Sequence, residues 1–507
     1  MYKLMNTFFY EGNKVNKKSL KYCTSSILQR LLLYIGWSVI VKKINENKYK
    51  ILLIVAIILI AIFALNNLKK SSIVNVYSNN KEEYINIYFN KSVNKKYYNG
   101  IEINQNVNFE DIVVDRILKS KESIDMCVYE INLPRIVEAL ILKASQGVDV
   151  RVIIDAKDTD DEYYVKRDKI MRLYVEKIIR GEDELIGTED DIIVFSDSPI
   201  FAVTDQNLRE KFRLPGLDIE KSDIIMGNYM YTGYLLCEGE KRDEIRYYTP
   251  NVQMHNKFLV FDKEIVWTGS WNLTITGTYG TEENMKKRRL VGNIQHCVEI
   301  KDIDVAEAYN QEFNEMWGSS EKYPNGENSN FNKRKRNNTN HIFEVDGSII
   351  EIYFSPSDEG VNRIVELIEK EADCNVYFSA FAFSDNRIIE ALRRKYEGED
   401  GKRTGFKIKG IIDEDSFNQS WSVSQKILQG WNNVPAIVKD NYERKFHCKT
   451  MIIDGGTKRN PIVITGSMNF TNNGDKVNDE NFIIIHDKEI SDAFVAEFYS
   501  RFLEYVE

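Results

Sequence analysis

The apolar positions of this chain fall into two regimes. Ile51 to Leu65 is unbroken apolar sequence, extendable to Leu68 through two Asn. Beyond it, short apolar runs of strand length alternate with segments of helical periodicity, which predicts α/β layering. The alternation is duplicated. Arg135-Ile136-Val137-Glu138-Ala139-Leu140 parallels Arg387-Ile388-Ile389-Glu390-Ala391-Leu392, and both open an amphipathic helix. Arg151-Val152-Ile153-Ile154-Asp155 parallels Lys409-Gly410-Ile411-Ile412-Asp413, a buried-type strand ending in a carboxylate. Ile300 to Phe313 aligns without gaps to Ile485 to Phe498, a strand end followed by a helix carrying Ala308/Ala493, Glu312/Glu497 and Phe313/Phe498. The pattern predicts two complete α/β domains, at 75–318 and 342–507, the first with a long insertion at about 159–247. The stretch 319–341, rich in Asn, Ser, Gly and Lys, reads as a flexible linker whose run Lys333-Arg334-Lys335-Arg336 is solvated, with contact to phosphate groups as the alternative.

Inside each half a second pattern has period two. His255-Asn256-Lys257-Phe258-Leu259-Val260-Phe261-Asp262 is followed by Gly269-Ser270-Trp271-Asn272. His447-Cys448-Lys449-Thr450-Met451-Ile452-Ile453-Asp454 is followed by Gly466-Ser467-Met468-Asn469. Residues i and i+2 of a strand share a face, so each hairpin gathers an imidazole, an ammonium, a hydroxyl and a carboxamide on one side. Such a set suits a phosphodiester. The Lys and the amide and hydroxyl donors can neutralise phosphate oxygens, and an imidazole can attack phosphorus or move a proton near neutral pH. One His-x-Lys is as often a solvated face as a site. Two matched copies, holding two of the five His in the chain, are read as one active site in two halves, with a nucleophile and a general acid. No metal or cofactor is expected, because two Lys supply the positive charge and the six Cys show no metal-ligand spacing.

These residues resemble the phospholipase D superfamily, whose signature is His-x-Lys-x4-Asp followed by Gly-Ser-x-Asn. The resemblance implies two similar α/β halves forming a pseudo-twofold sandwich with the site at their interface. It also implies a metal-free, two-step mechanism through a phosphohistidine. His255 would be the nucleophile and His447 the acid by family order, with Lys257 and Lys449 beside them and Asp262 and Asp454 in structural roles. The second copy continues Asn478-Asp479-Glu480-Asn481, similar to the family's Asn-x-Glu-Asn element, where a carboxylate holds the His tautomer. The first copy has Asn293-Ile294-Gln295-His296 at the matching place. Each element is expected to serve its own copy. Glu480 would then back His447 and make it the better nucleophile, and Gln295, or Asp155 or Asp205 in its stead, would stand behind His255.

Charge divides the chain differently. Up to residue 50 there are ten Lys/Arg and two Glu, a net of +8, so a total of −9 leaves −17 on the rest. Segment 1–48 reads as a basic leader and 49–68 as a transmembrane helix at the short end of spanning length. The positive-inside rule then predicts a single-pass membrane protein with its catalytic region outside the cytoplasm. A second stretch, Ile27 to Val41, either lies in the interface or also spans, which would reverse that topology. An acidic body disfavours non-specific nucleic-acid binding. A local run, Lys286-Lys287-Arg288-Arg289, is either a phosphate or headgroup contact or merely solvated.

The expected function is a membrane-anchored phospholipase D-type phosphodiesterase hydrolysing glycerophospholipids. Its partners are the phospholipid bilayer and the phosphodiester substrate, and no obligatory protein partner is legible. One alternative is an endonuclease of the superfamily acting on DNA or RNA, which Gly-Ser-x-Asn-x-Thr followed by Asn-x-Glu-Asn also resembles. The other is a phosphatidyltransferase of the cardiolipin synthase type. Those enzymes usually place Asp and Arg-Ser after the motif Asn, where this chain has Leu273-Thr274 and Phe470-Thr471.

Overall fold

Short runs rich in Val and Ile form the strands of two mixed sheets in a computed structural model that describes residues 84–97, 102–155, 162–185, 188–196, 253–398 and 400–506. The first sheet contains β1 (Ile85–Phe89), β2 (Ser123–Val128), β3 (Asp149–Ile154), β4 (Ile193–Ser196), β5 (Lys257–Phe261), β6 (Ile265–Gly269) and β7 (His296–Lys301), in the order β1-β7-β6-β5-β2-β3-β4. The second contains β8 (Ile342–Val345), β9 (Ser348–Ser355), β10 (Asn375–Ala380), β11 (Lys407–Ile412), β12 (Ala436–Lys439), β13 (Lys449–Ile453), β14 (Ile462–Gly466) and β15 (Glu480–His486). Its order is β12-β11-β10-β13-β14-β15-β9-β8. Read from β4 and from β12 the two sheets are the same sheet, three parallel strands and then antiparallel ones, with β8 added at one edge. The duplication thus extends to strand order.

Part of the segment 159–247 read as an insertion is regular structure with a counterpart in the second half. The helix Glu162–Arg180 leads into β4, which pairs in parallel with β3, as the helix Val423–Gly430 leads into β12 beside β11. Both are crossovers of a parallel sheet. Between β3 and β4 lie 38 residues (155–192) against 23 (413–435) between β11 and β12, and most of the extra length follows β4, in 197–252, which lie outside the described residues. So do the basic leader 1–48, the segment 49–68 read as transmembrane, and residues 27–41. Among the described residues no helix is long and apolar enough to cross a membrane.

Burial alternates along the second sheet. Tyr377, Ile452, Val463, Ile483 and Ile485 face a core shared with the first sheet, while Val376, Phe378, Met451, Ile464 and Ile484 face the outer helices. The shared core also takes the helices Ile303–Trp317 and Lys488–Val506, so the halves are not two independent domains. Aromatic pairs weld the seam: Tyr309 meets Phe354 edge-on at 5.2 Å, and Phe89 meets Phe494 at 5.2 Å.

The segment 319–341 is not the flexible linker its composition predicts. Phe331 is fully buried within the shared core. Lys335, taken from a run read as solvated, is buried too; it pairs with Glu312 and donates to the Ser355 carbonyl at 2.6 Å. The apolar Phe331 anchor and the desolvated Lys335 pair turn a polar stretch into a strap.

Candidate active site

Backbone pairing between the halves places both histidines. Asp479 N–H donates to the Gln253 carbonyl at 2.8 Å, and His255 N–H to the Asp479 carbonyl at 2.7 Å. The mirror set is Ile294 N–H to the Lys445 carbonyl and His447 N–H to the Ile294 carbonyl, each 3.0 Å. The strand-end carboxylates repeated in the sequence secure the same backbone. Asp155 accepts from Met254 N–H at 2.9 Å and from Arg167 at 2.8 Å, and Asp413 accepts from Phe446 N–H at 2.9 Å. Asp155 therefore supports the chain entering His255 and does not replace Gln295, while Asp205 lies outside the described residues.

Because each histidine pairs with the opposite half, the supporting groups are exchanged relative to the sequence expectation. Glu480 does not back His447. It faces the other motif, with His255 Nδ1 at 2.7 Å from its Oε2. Gln295 stands near His447, its Nε2 3.4 Å from Nδ1, while the Ser270 carbonyl lies 2.9 Å from that nitrogen. Each histidine's backbone partner is the residue immediately before its side-chain partner: Asp479 before Glu480, and Ile294 before Gln295. The crossing of the backbone thus carries the crossing of the side chains.

The electrostatics are those of a buried, electropositive slot. Burial lowers Lys257 to about 8, and burial together with the Lys257 charge lowers Lys449 to about 7. Each ammonium donates to the carbonyl of its own motif histidine, at 2.9 and 3.4 Å. Neither lies within salt-bridge distance of a carboxylate among the described residues. Burial raises Glu480 to about 7. Burial, and then the charges of Lys449, Lys257 and His255, hold His447 well below the usual imidazole range. A buried cation without a counter-ion is costly, so this slot favours an anion.

Two site residues had no motif to mark them. Tyr129 follows β2 and Phe381 follows β10. Tyr129 stands edge-on to His255, ring centroids 4.7 Å apart, with Lys257 Nζ 5.0 Å from its face. Phe381 lies tilted against His447, ring centroids 5.0 Å apart, with Lys449 Nζ 4.8 Å from its ring centroid. Cation–π contact and exclusion of water replace the missing carboxylates. The signal was in the repeat, since both aromatics come directly after corresponding strands.

The rest of each motif is mostly structural. Gly269 and Gly466 have φ of +153° and +155°, and a Cβ there would come within 2.3 Å of the His296 carbonyl and 2.4 Å of the Asn481 carbonyl. The hydroxyls read as phosphate donors are directed elsewhere. Ser467 donates to Glu480 at 2.7 Å, and Ser270 accepts from His296 N–H at 3.2 Å. Ser467 thus fixes the carboxylate behind His255. The amide oxygens of Asn272 and Asn469 are buried with no hydrogen-bond partner among the described residues. Thr274 and Thr471 cap the short helices that follow. In the basic run, Arg288 pairs with Glu110 and Asp111, and Lys287 with Glu283.

Asp262 and Asp454 hold the sheets. Both have left-handed φ, +52° and +53°, which Asp tolerates. Asp262 accepts from Lys121, Glu122 and Ser123 N–H, and Asp454 from Asp373, Cys374 and Asn375 N–H, at the starts of β2 and β10. Asp454→Ala leaves those donors without their acceptor and is expected to cost about 3 kcal/mol, read as a fall in the denaturant midpoint. An unchanged midpoint would remove this structural role.

The family model described as "Cardiolipin synthase, PLD-like domain" matches residues 113–317 and 364–502, one segment on each sheet. The chain belongs to the phospholipase D superfamily. It is therefore an enzyme of the phosphodiesterase type. It is similar to a Phospholipase D of Rickettsia prowazekii (strain Madrid E), 31% identical over 165 residues, which are 32% of this chain and 71% of that one. Among solved structures it is similar to NUC from Salmonella typhimurium, a phospholipase D family member, at 22% identity and a TM-score of 0.25, covering 31% of this chain and 96% of that one. It is also similar to the phosphatidylserine synthase of Haemophilus influenzae Rd KW20, at 11% identity and a TM-score of 0.46, covering 79% and 87%.

Proposed function

We propose that this chain is a phospholipase D-type phosphodiesterase that hydrolyses glycerophospholipids through a phosphohistidine on His255. The observation that carries the reading is the 2.7 Å contact between His255 Nδ1 and Glu480. With Nδ1–H donating to that carboxylate, Nε2 keeps its lone pair and faces phosphorus, and the positive charge that develops on attack has a counter-ion. In the first step a P–N bond forms at His255 and the P–O bond to the headgroup breaks, with His447 giving a proton to the leaving oxygen. In the second, His447 takes a proton from water, whose oxygen attacks phosphorus and frees His255. Lys257, Lys449 and the carboxamides of Asn272 and Asn469 hold the non-bridging oxygens.

Two features favour a lipid over a polynucleotide. A body carrying −17 repels a polyanion but not a single phosphodiester entering a positive slot. The apolar segment 49–68, read as an anchor, would hold that slot beside a bilayer. The test is headgroup release from vesicles of phosphatidylcholine and phosphatidylethanolamine, with EDTA present. Choline or ethanolamine release by the wild-type chain supports the reading. No release, with single-stranded DNA or RNA degraded instead, would replace it by the nuclease reading.

A further inference from the structure

The two histidines are held by different chemistry, and the difference has a consequence for rate. His255 has a carboxylate at Nδ1. His447 has the Ser270 carbonyl at 2.9 Å and the Gln295 amide at 3.4 Å. We infer that Gln295 is a positioning residue that leaves His447 neutral in the free enzyme, so that protonation of the departing headgroup, rather than hydrolysis of the phosphohistidine, limits turnover. The inference rests on the two-histidine reading above.

Every element packed on His447 supports it. From β13 comes Lys449, from β5 Lys257, and from the chain entering β5 His255, all of them positive or able to become so. From the residue just before β7 comes Gln295, whose Oε1 is buried with no partner among the described residues. From the end of β6 comes the Ser270 carbonyl, and after β10 the Phe381 ring. No carboxylate lies within salt-bridge distance of His447 among the described residues, and Glu480 is engaged by His255 and Ser467. An imidazole whose Nδ1–H donates to a carbonyl carries its lone pair on Nε2. It is a ready base for water and a poor acid for an alkoxide. A bound phosphodiester adds the one negative charge the slot lacks, but the free enzyme starts without the proton.

Gln295→Glu supplies that charge permanently. The test uses the full chain with labelled histidine; the five imidazoles are resolved by NMR and His447 is identified from the signal lost in His447→Ala. The wild-type His447 is expected to be the neutral Nδ1–H tautomer at pH 6.5, titrating below the ordinary value of about 6.5. In Gln295→Glu it should titrate at least about one unit higher. The ratio of kcat for phosphatidylcholine to kcat for a p-nitrophenyl phosphodiester, whose phenolate leaves unaided so that only hydrolysis of the phosphohistidine limits it, should rise about tenfold at pH 7.5. A wild-type His447 already charged at pH 6.5, or an unchanged ratio in a folded Gln295→Glu protein, would overturn the inference. If that variant does not fold, the wild-type titration decides alone. Failure of the two-histidine reading has a different signature: turnover that survives His447→Ala.

Discussion

His255→Ala is expected to abolish both phosphoenzyme formation and turnover, whereas His447→Ala abolishes turnover on phospholipid but still forms phosphoenzyme from a p-nitrophenyl diester. The first variant removes the atom that bonds to phosphorus, and no other imidazole is backed by Glu480. The second removes only proton transfer, a factor of about 10²–10⁴ when the leaving group needs a proton and little when it does not. Without His447 the phosphohistidine also lacks its base for water, so the intermediate should accumulate. Stopped-flow release of p-nitrophenolate would show a burst of one equivalent per enzyme in His447→Ala and no burst in His255→Ala. The opposite pattern would assign the nucleophile to His447.

Glu480→Gln should lower kcat/KM by about 10²–10⁴ while leaving the fold intact. The amide preserves shape and can still meet Ser467, but it cannot compensate the charge that His255 acquires as it attacks. The chain contains the matching natural arrangement, an amide beside His447, at the histidine that the proposed mechanism does not bond to phosphorus. The pH dependence gives a second readout. Burial raises Glu480 to about 7, so the active ionised form is lost as pH falls through about 7. That acidic limb should disappear in Glu480→Gln. The stability sign runs the other way. A carboxyl whose folded pKa lies above its unfolded value costs stability once pH exceeds the unfolded value near 4.3, so the neutral variant should keep or raise Tm at pH 7. Loss of activity together with a lowered Tm would mean a folding role instead.

Much of this was legible along the chain. The repeated helix starts, the strands ending in Asp155 and Asp413, and the gapless match of Ile300–Phe313 to Ile485–Phe498 predicted two like halves, and two sheets of the same strand order are what form. The His-Lys sets were marked by spacing alone. What was hidden is whatever depends on contacts between the halves. Glu480 follows the second motif in sequence and serves the first in space, because the bridge at Asp479 pairs with the chain entering His255, 224 positions away from it. Local reading has no access to such a pairing. The strap around Phe331 and Lys335 was misread for a related reason, since its polar composition conceals one aromatic anchor and one ion pair that reach into the shared core. Tyr129 and Phe381 were overlooked because aromatics after strands are ordinary core residues, and only their equivalence across the repeat distinguishes them.

On the proposed mechanism the crossed Glu480 contact assigns the nucleophile to His255. The assignment is decided by mixing enzyme with a p-nitrophenyl phosphodiester carrying a labelled phosphoryl group, quenching in alkali, where phosphohistidine survives, and mapping the label by peptide mass spectrometry. The label is expected on His255, in the peptide that contains Lys257, and is expected to build up further in His447→Ala. A label on His447, or an enzyme that turns over without any labelled histidine, would contradict the assignment.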